Sequence, residues 1–164
     1  MVRKIKPAEG RVLDRIDKGI LALLQEDALL SLEQIADRVK LSPTPCWRRI
    51  QQLREAGIIR KHVAILDPIA LNLPMTVFVS IKTAQHNAGW LERFGRGVKD
   101  MPEVVECYRM SGDIDYLLRV VVPDMQGYDT FYKRLIKVAE LFDVSSSFAM
   151  EQIKFTTSLP LDYV

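Results

Sequence analysis

Ser42, Thr44, Pro45, Trp47, Arg48, Arg49, Gln51 and Gln52 all fall within the run SPTPCWRRIQQ. These are residue types that read DNA. Arginine can form paired hydrogen bonds to guanine and glutamine to adenine, while threonine offers a hydroxyl, or a methyl to thymine. Hydroxyls such as those of Ser42 and Thr44, placed at a helix start, suit phosphate oxygens. A solvated helix face would carry many of the same residues. What distinguishes this run is Trp47 beside two arginines, with Cys46, Ile50 and Leu53 spaced to form an opposite, apolar side.

Other chemistries find little support. There are two histidines, His62 and His86, and neither stands in a nucleophile–base or metal-ligand pattern. No glycine-rich phosphate loop occurs, and Ser145, Ser146 and Ser147 read as part of a strand. Cys46 and Cys107 lie far apart and form no CxxC pair, so both are expected to be buried thiols in a reducing compartment. The expectation is a non-enzyme with no metal and no cofactor.

The elements that must position the DNA-reading residues can be traced from residue 13. LDRIDKGILALLQED has Leu13, Ile16, Ile20, Leu23 and Leu24 at helical spacing, with Asp14 and Asp17 at its positive end. In SLEQIADRV, Ser31 and Gln34 make a capping box ahead of Leu32, Ile35, Ala36 and Val39. Ser42 then caps a third helix with Pro43 and Pro45 in its first turn, where a missing N–H removes no intrahelical bond. Gly57 ends it. A helix, a short helix, a tight turn and another helix make a helix-turn-helix. IIRKHVAILD follows as an expected strand, a small wing from which Lys61 and His62 could touch phosphate.

The prolines of DPIALNLP mark a joint near residues 67–74. Beyond it come MTVFVSIKT (strand), NAGWLERFGRGVKDM (helix), VVECYRM and DYLLRVVV (strands), MQGYDTFYKRLIKVAELF (helix) and VSSSFAMEQIKF (strand). This is a ferredoxin-like βαββαβ order. The fold class is therefore α+β, with an N-terminal winged helix-turn-helix followed by a ferredoxin-like (ACT-like) domain. The expected division is a tail 1–12, a DNA-binding domain 13–62, a connecting strand and hinge 63–74, and a second domain 75–164. The strands look apolar on both faces, as in Val77, Phe78, Val79 and Ile81. Two helices cover one face only, so the other calls for a partner, most simply a second copy of the chain.

Charge agrees with this division. Residues 1–62 hold 13 Lys/Arg against 8 Asp/Glu, and residues 63–164 hold 10 against 13. A basic front half and an acidic back half suit a nucleic-acid-binding module joined to one of another kind. With 48% hydrophobic and 27% charged residues, the 164-residue chain has an ordinary globular composition. No apolar run approaches the roughly 20 residues of a membrane span, and MVRKIKPAEG lacks the apolar stretch of a secretory signal. A cytoplasmic, nucleoid-associated location is expected, with no membrane partner.

From Leu13 to Pro160 the chain resembles the Lrp/AsnC (feast/famine) family of transcription regulators. The resemblance rests on LDRIDKGIL, SLEQIADRVKLSPTPCWRRIQQLREAGIIR, the linker LDPIALNL and SGDIDYLLRV. SSFAMEQIKFTTSLP looks like the branch controlling amino-acid catabolism or detoxification, and the PCW variant like its cysteine-responsive members. The resemblance implies dimers that assemble into tetramers or octamers, with a free amino acid bound between dimers near the hairpin of the second and third strands. Cysteine and branched-chain amino acids are the expected effectors. Carried over by motif, Gly112, Asp113, Asp115 and Tyr116 stand at or beside the effector, with Ser146, Ser147 and Phe148 nearby. By itself, Gly112-Asp113 is also plain turn chemistry. Within the resemblance, the two carboxylates suit an α-ammonium group and neighbouring amides an α-carboxylate.

The function that follows is a sequence-specific regulator of double-stranded DNA. A dimer would read an imperfect palindrome, and amino-acid binding would shift its assembly. The alternative is an architectural DNA-binding protein with no effector.

Overall fold

Asp14 opens the first helix by accepting a hydrogen bond from the Asp17 amide at 2.8 Å. The structure is a computed structural model that describes residues 12–85 and 87–164. Residues 1–11 of the expected tail, and His86, lie outside the described residues. Helix α1 spans Arg15–Glu26, α2 Leu32–Arg38 and α3 Pro43–Glu55. The capping box of α2 is formed in both directions, Gln34 N to Ser31 Oγ at 3.2 Å and Ser31 N to Gln34 Oε1 at 2.8 Å. Gly57, at φ +71°, turns the chain out of α3 in the left-handed region, which glycine enters without strain.

The chain divides into two compact units. The first takes the described residues up to Ala64 together with Lys154–Val164, and the second is Ile65–Ile153. Ile20, Leu21, Ile35, Ala36, Cys46, Ile50 and Leu53 form the core of the first unit, with Leu161 packed against it. Leu159 is clasped by the Gln25 side-chain amide, which accepts from its N–H at 2.7 Å and donates to its carbonyl at 3.3 Å. The last eleven residues thus belong with the helix-turn-helix, although the sequence pattern had assigned them to the domain 75–164.

The expected strand over 58–67 is not formed. Extended backbone suits β-branched residues, but a strand also needs a neighbouring edge to take its hydrogen bonds. Among the described residues none pairs with this run, and Val63, Ile65 and Leu66 stand exposed.

The second unit follows the expected order: β1 Met75–Lys82, α4 Ala88–Lys99, β2 Val104–Arg109, β3 Tyr116–Val122, α5 Met125–Val138 and β4 Asp143–Phe148. Its sheet is antiparallel with strand order β2-β3-β1-β4. The last strand is shorter than expected because its partner runs out. Phe148 pairs with Val77, Ala149 N reaches the Thr76 carbonyl at 2.9 Å, and β1 begins at Met75.

Alternation along β1 and β3 separates the two faces. Val77, Val79, Ile81, Tyr116, Leu118, Val120 and Val122 are buried under Trp90, Phe94 and Val98 of α4 and Tyr128, Phe131 and Leu135 of α5. Trp90 stacks on Phe94 at 4.9 Å and donates its indole N–H to the Glu140 carbonyl at 2.8 Å. The opposite face is mixed rather than wholly apolar. Phe78, Leu117 and Val121 lie beside Arg119, which is bonded to Glu106 at 2.6 Å. Cys46 is buried as expected, whereas Cys107 is exposed, because β2 is an edge strand.

Two glycines of α4 play different parts. A Cβ on Gly97 would lie 2.2 Å from Val138 Cγ1, so glycine lets α5 approach α4 there, while a Cβ on Gly95 meets nothing within 4 Å. Gly97→Ala is expected to destabilise the protein by about 1–3 kcal/mol through overpacking. Gly95→Ala should stabilise it by roughly 0.5–1 kcal/mol through reduced backbone entropy in the unfolded chain. Urea unfolding of the two variants beside the parent protein checks both signs.

Candidate nucleic-acid interface and effector site

Helix α3 presents its residues as the spacing predicts. Cys46, Ile50 and Leu53 are buried, and Thr44, Arg48 and Gln52 form an exposed row at four-residue intervals. Trp47, 54% exposed, and the half-buried Gln51 form the adjacent row. Carrying a large indole in water is unfavourable unless something covers it. Together the two rows supply an arginine, two glutamines, a threonine and an aromatic ring on one side of one helix.

The start of α3 departs from the expected cap. Ser42 occupies the N-cap position, but its hydroxyl makes no capping bond. The usual donor to such a hydroxyl is the amide two or three residues on, and here the third residue is Pro45. Pro43 also lacks an N–H, and Cys46 N donates to the Ser42 carbonyl at 3.3 Å. In the first turn this leaves the Thr44 amide outside the helical ladder. The first turn therefore offers an anion the exposed hydroxyls of Ser42 and Thr44, and fewer amides than a helix start without prolines would. Pro45 is half-buried and shapes the turn.

Arg49, expected among the DNA-reading residues, does not join the exposed rows. Its Nη1 lies 2.7 Å from Asp14 Oδ2 and 2.9 Å from Asp17 Oδ1. The two carboxylates hold the guanidinium above its ordinary pKa. Asp14 is held below the usual carboxylate range, first by the Asp17 amide and then by Arg49. By sequence alone both aspartates suit the helix dipole, and their meeting with Arg49 depends on how α1 approaches α3. The signal available was a second arginine on the border between the apolar and polar sides of α3.

The residues expected at the effector fall into two groups. Gly112 sits at φ +122° in the hairpin between β2 and β3, where a Cβ would meet nothing within 4 Å. It is there for its backbone angle. The turn is closed by Met110 N to the Asp115 carbonyl at 2.8 Å. Asp115 is already committed, since its Oδ2 accepts from Thr83 N at 2.8 Å and its own N–H donates to the Ile81 carbonyl at 2.9 Å. Asp113 stands exposed at the tip. Tyr116 is a core residue packed on Phe94 and Trp90, and burial raises its phenol pKa.

On β4, Ser146 is hydrogen-bonded to the Tyr128 hydroxyl, and Phe148 meets the Tyr128 ring edge-on at 5.1 Å. Ser147 points to the sheet's other face, opposite Phe78. A shallow cleft lies beside this group, lined by Met125, Tyr128, Asp129, Tyr132, Val144 and Ser146. Tyr128, which the sequence reading did not single out, is the centre of this cluster. Ser146 pairs with Val79 and Tyr116 with Ile81, on opposite sides of β1. The chain therefore does not bring the hairpin and the β4 residues into one pocket. Among the described residues, no group of three His, Cys, Asp or Glu is arranged to hold a metal ion. Nor is any described helix long and apolar enough to cross a membrane.

Comparison with known proteins places these features. Residues 13–60 match the model for winged helix-turn-helix DNA-binding, and residues 76–159 match that for the Lrp/AsnC ligand binding domain. The chain is 53% identical over 152 residues to the DNA-binding transcriptional activator DecR of Escherichia coli, covering 92% of this chain and all of that protein. An AsnC family transcriptional regulator from Agrobacterium tumefaciens has a crystal structure that superposes with a TM-score of 0.89 at 62% identity, covering 92% and 99% of the two chains. The transcriptional regulator NMB0573 from Neisseria meningitidis, solved as a complex with L-Met, gives 0.87 at 37% identity, covering 93% and 99%.

The ion pairs of Arg49 carry a pH signature. Because the folded pKa of Asp14 is depressed, its contribution to stability is present above the unfolded carboxylate value near 3.8 and is lost as pH falls through the lowered folded value. Asp14→Asn retains a good N-cap but not the charge. Thermal melts should show the parent more stable than Asp14→Asn at neutral pH, with the gap closing from about pH 5 downwards.

Proposed function

The chain belongs to the Lrp/AsnC family of DNA-binding transcription regulators, and we propose that it reads its operator through Ser42, Thr44, Trp47, Arg48, Gln51 and Gln52. The carrying observation is the separation of α3 into a buried side and an exposed polar side. Arg48 and Gln52 have the reach and donor pattern for guanine and adenine edges, and Ser42 and Thr44 take phosphate. Two such helices from a dimer would meet successive major grooves, so the operator is an imperfect palindrome.

The dimer forms through the open sheet face around Phe78, Leu117 and Val121, and dimers join into tetramers or octamers. Support comes from the one-sided cover of the sheet and the mixed apolar character of the uncovered face. The effector is a free amino acid, with cysteine and branched-chain amino acids the leading choices. A relative solved with L-Met supports a small apolar or sulfur-bearing side chain. Asp113, exposed at the hairpin tip, suits the α-ammonium group, and a second chain supplies the remaining walls of the site.

One observation favours the alternative, an architectural DNA-binding protein with no effector. Within one chain the hairpin and β4 residues do not converge, and Asp115 and Tyr116 are already engaged in the fold.

Sedimentation of the protein alone and with each common amino acid, starting from cysteine under reducing conditions, separates the two readings. A ligand-dependent change of assembly is expected, while a fixed assembly that ignores every amino acid supports the architectural protein. Arg48→Ala is expected to weaken binding to a duplex selected from a random pool by about 1–3 kcal/mol, with sequence preference relaxed at one position. Titration of the variant against the selected duplex and its single-base changes provides the check.

A further inference from the structure

Arg49 lies on the recognition helix with its charge already engaged. Base recognition by α3 is sensitive to rotation of the helix about its own axis. A side-chain tip about 6 Å from that axis moves ~1 Å for a rotation of ~10°, which is enough to break a hydrogen bond to a base edge. Packing of Cys46, Ile50 and Leu53 decides which side of α3 is buried, but apolar contact has no direction of its own to fix the last few degrees.

The pair of carboxylates does have direction. Asp14 and Asp17 flank one nitrogen of Arg49 at 2.7 and 2.9 Å, and Asp17 is 2% exposed. Asp14 is also the N-cap of α1, its other oxygen taking the Asp17 amide at 2.8 Å. The start of α1 and the middle of α3 are thereby tied at a single point. Arg49 neighbours Gln52 three residues on, so the tie sits on the flank of the exposed row.

We infer that Arg49 is a positioning residue for sequence reading: its bond to Asp14 and Asp17 sets the rotation of α3, and Arg49 itself makes no contact with DNA. The inference rests on the proposed reading surface of Thr44, Arg48 and Gln52. Phosphate contacts tolerate small misplacement better than base-edge bonds do, so loss of the tie acts on selectivity before it acts on general affinity.

The test uses the full-length protein, with Arg49→Gln, Asp17→Asn and the double variant. Each is titrated against a duplex selected from a random pool by the parent protein and against a scrambled duplex, over a range of KCl concentrations. All titrations are run well below each variant's melting temperature. Each single variant is expected to weaken the selected duplex tenfold or more and the scrambled duplex no more than about twofold. The salt slope should be unchanged, and the double variant no weaker than the poorer single one.

If Arg49 instead touches a phosphate, Arg49→Gln will weaken both duplexes alike and lower the salt slope by about one. Asp17→Asn will then leave binding unchanged or strengthen it. Either result overturns the inference, as does full selectivity in variants that merely melt earlier. Should Arg49→Gln not fold, Asp14→Asn and Arg49→Lys carry the same comparison. Thr44→Ala and Gln52→Ala are run alongside. If they keep full selectivity, the reading surface is wrong, whereas lost selectivity there with none lost at residues 14, 17 and 49 sinks the tie alone.

Discussion

Burial of Cys46, Ile50 and Leu53 is the constraint from which the rest of the DNA-binding unit follows. Their spacing along α3 puts them on one side, and α1 and α2 supply most of the residues that cover them. Once that side is buried, Thr44, Arg48 and Gln52 have no choice but to face water. The proline pair then shapes the helix start in the only turn that can accept it. It also withdraws amides that a helix terminus would ordinarily offer to an anion. Composition and geometry here reinforce each other, since a surface helix with no partner would have little reason to carry Trp47 in water.

What could be read in the sequence follows from which interactions are local. The order of the helices, the Ser31–Gln34 box and the Gly57 stop depend on residues close in the chain, and all are present in the structure. The features that escaped depend on distant partners. Arg49 looked like its neighbour Arg48 because both are arginines on one helix, and only the approach of α1 separates them. The run 58–67 has strand composition, but strand formation is a property of two segments and, among the described residues, none pairs with it. Asp115 and Tyr116 carried the right chemistry for a ligand, yet a backbone amide and an aromatic cluster engage them first.

In the second unit, alternating burial gives the sheet two unequal faces. The covered face holds the aromatic group Trp90, Phe94 and Tyr116, close enough to stack and anchored by the indole bond to Glu140. On the open face, the Arg119–Glu106 pair sits among Phe78, Leu117 and Val121. A charged pair within an apolar surface weakens non-specific association and favours a partner that can satisfy it. Such a face suits specific pairing better than a uniformly greasy one would, because a wrong register leaves the pair buried and unanswered.

The return of the chain's end to the first unit has a consequence for how the two units are built. Gln25 and Leu159 are 134 residues apart, yet they close on each other, and Leu161 packs on the helix-turn-helix core. The polypeptide therefore passes between the units twice, once after Ala64 and once before Lys154. Loop-closure entropy grows only slowly with loop length, so a separation of 134 residues is little obstacle to the contact of Gln25 with Leu159. The helix-turn-helix unit is thus built from two stretches of chain, with Ile65–Ile153 lying between them in sequence.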